Sequence, residues 1–381
     1  MDYKQESLIL HEKNRGKLEI RSKVAINNKT DLSLAYTPGV AQPCMEIYKD
    51  PEMVYKYTPK GNMVAVISDG SAVLGLGNIG GLASIPVMEG KAILFKNFAN
   101  IDAFPICLSS QDVEENIKTI RNIAPVFGGI NLEDIKAPEC FIIEERLQDL
   151  GIPVMHDDQH GTAVVVLAGF INALKVAGKN LEDVKIVVNG AGAAGMAITK
   201  LIMSYGAKHV TMCDSKGIIY EGRESMNIYK DAIAKVTNRE MLKGSLDVAM
   251  KGADVFIGVS VKDVVSKDMV KSMADKSIIF AMSNPDPEIR PDDAKEAGAF
   301  IVATGRSDFP NQVNNVLAFP SIFRGALDVR AERITEEMKV AAARAIASCV
   351  ENPSIENIIP SPFDKEVPAK VAKAVSEAWR K

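Results

Sequence analysis

The sequence predicts an α/β protein of two domains: an N-terminal α/β domain completed by helices from the C-terminus, and a Rossmann-like, doubly wound domain between them. Three observations predict it. In residues 184–214 a β-branched run (Val184, Ile186, Val187, Val188) enters Gly190, Gly192 and Gly195, a helical segment runs from Met196 to Gly206, and a second apolar run ends in Asp214. Apolar runs within 252–260, 277–282 and 300–305 each finish in small or polar residues, as the far half of such a sheet requires. Upstream, strand-like runs at 63–68, 126–130 and 152–155 alternate with helical periodicity at 112–123 and 139–150. The boundaries follow as 1–160 for the first domain, 161–325 for the second and 326–381 for the C-terminal helices, expected to pack back on the first.

In chain order, residues 1–30 read as a helix followed by the polar turn Asn27-Asn28-Lys29-Thr30. Thr37-Pro38-Gly39 is turn chemistry that fixes Tyr36 on a loop. Gly75, Gly77 and Gly80 repeat the glycine spacing but are separated from the strand at 63–68 and followed by Pro86, so a tightly packed turn is expected there instead of a long helix. Residues 88–98 place Lys91 at the start of a strand, 92–95, where a lysine is ordinarily solvated. Beyond the 126–130 run come Glu133 and Asp134, and beyond 152–155 come Asp157 and Asp158, the latter 24 residues after Asp134. Strand ends on the carboxyl edge of an open sheet face a common crevice. Three hard oxygen ligands there, Glu133, Asp134 and Asp158, suit Mg²⁺ or Mn²⁺, although turn and capping acids are the commoner case. His156 and His160, four apart, would suit zinc on a helix, but Pro153 precedes them and Gly161 interrupts. An apolar helix, 163–177, closes at Gly178, and alanine-rich helices at 331–350 and 366–381 end the chain.

The loop Gly190-Ala191-Gly192-Ala193-Ala194-Gly195 has the order strand, glycines, helix, acid that a dinucleotide requires. The first glycine allows the tight turn, the second lets backbone approach a pyrophosphate, and the third lets helix and strand pack closely. Phosphates would rest on the helix N-terminus with Ala193 and Ala194 beside them. Asp214, 24 residues after Gly190, is placed for the ribose hydroxyls and favours NAD, while Lys216 leaves NADP open. Asn284 and Asn315, each following a predicted strand, can hydrogen-bond a carboxamide or carboxylate, or serve as turn residues.

With 47% apolar and 25% charged residues the composition is that of an ordinary globular protein, and a net charge of −4 argues against nucleic acid as a partner. No window reads as an uninterrupted membrane span, so no membrane association is expected. Five cysteines without paired spacing, and a charged N-terminus, lead to an expected cytoplasmic location.

In order, 36–40, Ser68-Asp69-Gly70-Ser71, Glu89-Gly90-Lys91-Ala92, 132–135, 156–162, 190–195, 283–289 and 312–320 make the chain resemble malic enzyme in its short bacterial-type form over nearly its whole length. The resemblance implies oxidative decarboxylation of L-malate to pyruvate and CO₂, with reduction of NAD or NADP and a divalent metal, Mg²⁺ or Mn²⁺. It implies Tyr36 as general acid, Lys91 as general base and substrate contact, Asp157 as supporting acid, and Glu133, Asp134 and Asp158 as metal ligands. Asn284 and Asn315 match substrate positions, Asn284 also the nicotinamide side, and a homodimer is implied, with Tyr36 and Lys91 meeting across its interface. Larger animal-type members carry arginine where this chain has Ala72, leaving the substrate carboxylate to Ser71, backbone N–H groups or the asparagines. The acetyltransferase-like extension of long bacterial forms is expected to be absent. Two other readings share the architecture: a metal-independent amino-acid dehydrogenase and a non-catalytic dinucleotide sensor.

Overall fold

The structure is a computed structural model describing residues 3–73 and 75–380. Met1, Asp2 and Lys381, at the ends of the predicted first and last helices, and Leu74, before the first glycine run, lie outside the described residues.

The chain opens with helices α1 (Tyr3–Asn14), α2 (Lys29–Ala35), α3 (Ala41–Lys49) and α4 (Val54–Tyr57) before strand β1 (Met63–Ser68). The first helix stops well short of residue 30, and Asn28 caps α2 through its side chain instead of forming a turn. Then follow α5 (Gly80–Ala99), β2 (Asp102–Cys107), α6 (Val113–Ile123), β3 (Gly129–Leu132), α7 (Glu139–Arg146), β4 (Val154–His156) and α8 (Asp157–Ala177). Strands β1 to β4 form a parallel sheet in the order β2-β1-β3-β4, with a switch point between β1 and β3.

The expected strand at 92–95 and the expected break at Pro86 are both wrong, because α5 runs through them. Its buried positions, Gly81, Ser84, Met88, Ala92, Phe95 and Ala99, recur every three or four residues, a helical period that a short apolar run conceals. Pro86 is tolerated on the exposed face.

The second sheet takes β5 (Lys185–Asn189), α9 (Ala193–Tyr205), β6 (His209–Asp214), β7 (Gly217–Ile218), α10 (Ile228–Ala234), α11 (Leu246–Met250), β8 (Val255–Gly258), α12 (Lys267–Lys271), β9 (Ile278–Ala281), α13 (Pro291–Glu296) and β10 (Ile301–Thr304). Its order is β10-β9-β8-β5-β6-β7, parallel except for the β6–β7 pair, so the winding reverses between β5 and β8 as predicted. Helices α14 (Phe319–Asp328), α15 (Glu336–Ser348) and α16 (Val367–Ala378) complete the chain. Helix α14 packs on α5 and α16, while α15 packs on α8 and α9, so the C-terminal helices brace both halves of the molecule.

Helix α8 begins six residues before the predicted 163, and the expected boundary at 160/161 falls inside it. By length and composition it would cross a membrane, contrary to the sequence reading, but 78% of its most apolar window is buried inside the protein. It is a core helix: Val164, Val166, Leu167, Ala168 and Phe170 are wholly buried.

Phe95 ties α5 to α14, its ring 4.9 Å from that of Phe319 and 5.4 Å from that of Phe323. Phe95→Ala is expected to destabilise the fold by about 3–5 kcal/mol, read as a lower midpoint in urea denaturation.

Candidate active site

The carboxyl ends of β3 and β4 deliver the acids. Glu133 follows β3 and its N–H donates to Ile67 of β1, fixing it at the switch point. Asp134 turns into the left-handed region at φ +53°, a conformation costing about 1–3 kcal/mol that accumulates at functional sites. Its N–H donates to Asp158 Oδ2 at 2.8 Å, tying the end of β3 to the start of α8. Ligand atoms of Glu133, Asp134 and Asp158 lie within 4.8 Å of one another. Three carboxylate oxygens so close, offered by the loop after β3 and the first turn of α8, fit a hard divalent cation such as Mg²⁺ or Mn²⁺.

Lys91 enters from α5. Its Nζ lies 2.6 Å from Asp157 Oδ2 and 2.8 Å from Glu133 Oε1, and 4.2 Å from the centre of the Phe319 ring. Burial works to strip its proton, but Asp157, Glu133 and Asp158 outweigh burial and hold the ammonium charged. Burial is also the main reason the Asp157 carboxyl is raised to about 7, with Lys91 opposing it. Glu133 and Asp158 are raised by burial too, again against the pull of Lys91. Asn315 donates to Asp157 Oδ2, so this asparagine reaches the cluster through the acid.

Gly161 shows how closely this is built. A Cβ there would stand 1.8 Å from Asp157 Oδ1, so α8 can carry that carboxylate against its own backbone only with glycine. The sequence reading that Gly161 interrupts a helix is wrong: α8 runs straight through it.

Sequence reading missed several members. Asn131 donates to Glu133 Oε2 at 2.8 Å, and Phe319 forms the floor under Lys91. Glu144 of α7 is wholly engaged around the first turn of α8. An asparagine inside a strand, a phenylalanine and a helical glutamate carry no local signal of such positions. Ser71, by contrast, is not free for a substrate carboxylate: its hydroxyl donates to Asp69 and accepts from the N–H of Lys136.

Tyr36 is not brought to the cluster. It caps the C-terminus of α2, 67% exposed, and its hydroxyl has no hydrogen-bond partner among the described residues.

At the second sheet, Gly190 has φ +119°, and a Cβ on it would meet Val259 O at 2.5 Å. One on Gly195 would meet Gly190 O at 1.7 Å, whereas one on Gly192 would meet nothing within 4 Å. The first and third glycines are thus demanded by packing, and the second faces open space. Helix α9 starts at Ala193 and Ala194 with no side-chain cap on its first-turn N–H groups. That combination fits a dinucleotide pyrophosphate.

Asn284 follows β9 with its side chain against Gly305, and Pro285 beside it faces Gly75, so the first glycine run packs against the segment that follows β9.

Asp214 departs from expectation. Its Oδ1 accepts from Lys216 N and Arg223, and its Oδ2 from Arg223 and Lys230, which fills the four acceptor positions of a carboxylate. These partners hold the acid ionised against the opposing effect of burial. The carboxylate is therefore committed within the chain and cannot accept from ribose hydroxyls without releasing a partner.

Residues 15–148 match the family model described as the malic enzyme N-terminal domain, and residues 159–379 match that of the malic enzyme NAD binding domain. The chain is 61% identical to the bifunctional malic/malolactic enzyme of Bacillus subtilis, over 99% of its own length and 93% of that protein's. It is 55% identical to the NAD-dependent malic enzyme of Geobacillus stearothermophilus, over 95% and 76% respectively. The crystal structure of the NAD-dependent malic enzyme from Thermotoga maritima superposes with a TM-score of 0.95 at 52% identity, covering 97% of this chain and 98% of that one.

Gly161→Ala is expected to displace Asp157 and lower turnover about 100-fold, since a misplacement of about 1 Å costs that much, while dinucleotide affinity is kept. Lys230→Met, which removes a positive charge and frees an acceptor position on Asp214, is expected to raise the ratio of NAD to NADP affinity, measured by quenching of protein fluorescence.

Proposed function

The chain belongs to the malic enzyme family, and from that membership we propose how its residues divide the work of the family's reaction. The protein catalyses the divalent-metal-dependent oxidative decarboxylation of L-malate to pyruvate and CO₂ with reduction of NAD(P). The amino-acid dehydrogenase and sensor alternatives give way to this assignment. The observation that carries the division of roles is the placement of Lys91 between Asp157 and Glu133, beside three converging carboxylates.

In this reading residues 1–160 hold malate and metal, residues 161–325 hold the dinucleotide, and residues 326–381 brace both. Glu133, Asp134 and Asp158 hold the cation, and the 190–195 loop holds the pyrophosphate. When bound, the cation supplies Lewis acidity and the nicotinamide accepts the hydride. Lys91 takes the proton of the malate hydroxyl. Asp157, Glu133 and Asp158 together keep it charged, so engaging Glu133 and Asp158 with a cation would leave Asp157 as its single anionic partner and let it give up its proton. Asp157, oriented by Asn315, then holds the re-formed ammonium. Loss of CO₂ from the oxidised acid leaves the enolate of pyruvate, and Tyr36, a phenol protonated at neutral pH, gives its proton to the enolate carbon and regains one from solvent. Asn284, at the crevice, contacts the substrate or nicotinamide amide.

Tyr36 reaches a site by dimerisation. It sits in an N-terminal segment that exposes Leu8, Ile20, Leu34 and Tyr48 to solvent, an apolar surface of the kind a partner covers. We place the partner as a second copy of the chain, whose Lys91 cluster receives this Tyr36. A cytoplasmic location suits the five free cysteines.

EDTA is expected to abolish malate-dependent reduction of the dinucleotide, and Mn²⁺ to restore it. Lys91→Ala should suppress oxidation of malate, while Tyr36→Phe should bind malate normally and fail to ketonise enolpyruvate. Mixing the two variants tests the shared site: random heterodimers carry one intact site each, returning about a quarter of wild-type activity. No recovery on mixing would place Tyr36 within its own subunit. Lactate should be measured with pyruvate, because the relative at 61% identity is named for both reactions.

A further inference from the structure

Behind the acids lies a second buried polar cluster that the reaction does not use directly. Glu144 of α7 is buried, and its Oε1 accepts from the backbone N–H of His156 at 2.9 Å. Its Oε2 accepts from Gln159 Nε2 at 3.0 Å and meets His160 Nε2 at 3.1 Å. The opposite ring nitrogen, His160 Nδ1, is 3.0 Å from Lys339 Nζ of α15. An ammonium only donates, so Nδ1 accepts and the ring hydrogen sits on Nε2, pointing at Glu144. Lys339 is itself buried and is held at 2.7 Å by Glu336.

We infer that Glu144 is a positioning residue for the metal site, clamping residues 156–160 at the start of α8 so that Asp157 and Asp158 face Lys91 and the Glu133–Asp134 pair, with Lys339 locking the clamp through His160. The inference rests on the assignment of Glu133, Asp134 and Asp158 as metal ligands. The first turn of α8 needs such a clamp: His156, at the helix cap, makes no side-chain capping bond, and the amides there have no intrahelical acceptor. The three anchored groups, the His156 amide and the Gln159 and His160 side chains, bracket the two acids on both sides. Through Glu144, His160 and Lys339 this polar contact joins α7, α8 and α15 beside the acids, so the placement of Asp158 depends on an element from each part of the chain. Outer-shell partners of this kind typically change metal affinity 10–100-fold.

The test is the dissociation constant for Mn²⁺, read from the EPR signal of free Mn²⁺, with kcat and KM as secondary readouts. Glu144→Gln keeps the size but turns an amide donor toward the Gln159 and His160 donors. It is expected to weaken Mn²⁺ at least tenfold, with kcat largely recovered at saturating Mn²⁺. Glu144→Asp keeps the charge but withdraws the carboxylate by one methylene, and should weaken Mn²⁺ to a similar degree. Lys339→Met should weaken it severalfold and Lys339→Arg restore it; this pair carries the test if the Glu144 variants do not fold. Mn²⁺ affinity within twofold of wild type in folded Glu144→Gln, or wild-type affinity in Glu144→Asp, would overturn the inference. Failure of the wild-type protein to bind Mn²⁺ would instead overturn the assignment of the metal ligands.

Discussion

A charged lysine buried among acids organises this molecule. An ammonium taken out of water must be paired, and removing one partner of a buried pair typically costs about 3–5 kcal/mol. Lys91 meets that requirement with Asp157 from the start of α8 and Glu133 from the end of β3, while its own stem belongs to α5. Three elements distant in sequence therefore have to arrive together. The same arrangement leaves three carboxylates, Glu133, Asp157 and Asp158, around one ammonium, with Asp134 beside Glu133 and Asp158. Burial raises the pKa of Glu133, Asp157 and Asp158, with Lys91 opposing it, so holding these groups ionised depends on the positive charge beside them. A divalent cation held where the ligand atoms of Glu133, Asp134 and Asp158 converge would add positive charge to this cluster.

Helix α8 carries this arrangement into the second half of the molecule. Its first turn presents Asp157 and Asp158, and its body packs against α9, whose N-terminus closes the 190–195 glycine loop, and against α15. Gly169 brings it close to β9 as well, since a Cβ there would lie 3.1 Å from the Phe280 ring. The acids and the glycine loop are thus fixed on either side of one rod of buried aliphatic residues. A hydride transfer needs its partners held to within a fraction of an ångström, and a continuous helix across the domain boundary meets that need better than a flexible connection.

How much of this could be read from the residues depended on whether a feature was local. The strand–turn–helix at 190–195 was legible because its turn and its close packing demand glycine at Gly190 and Gly195 at a fixed spacing. The acids were legible as a pair of strand ends, although spacing alone could not separate ligands from turn acids. Helix α5 was not, because Ala92, Ile93, Leu94 and Phe95 look the same in a strand and in a buried helix, and Pro86 suggested a break that the exposed face absorbs. Glu144 was invisible, since a glutamate on a helix is ordinarily solvated and only tertiary contact with His156 and His160 gives it work. Tyr36 was found by resemblance, and nothing within a single chain brings it to the cluster.

Acids of similar sequence appearance separate once their acceptor positions are counted. Asp69 is used by Ser71 through both its amide and its hydroxyl, Asp214 by Lys216, Arg223 and Lys230, and Glu144 by His156, Gln159 and His160. Each of these carboxylates is spent on holding a turn, a pair of cations or a helix start. Glu133, Asp134 and Asp158 differ because their oxygens converge on one small volume from two directions, which the folding of any single loop does not require. Spacing in the chain locates an acid, but its task is set by the donors that surround it. That is why Asp214 stands at the motif position of a ribose acceptor while its carboxylate is held by two cations, Arg223 and Lys230.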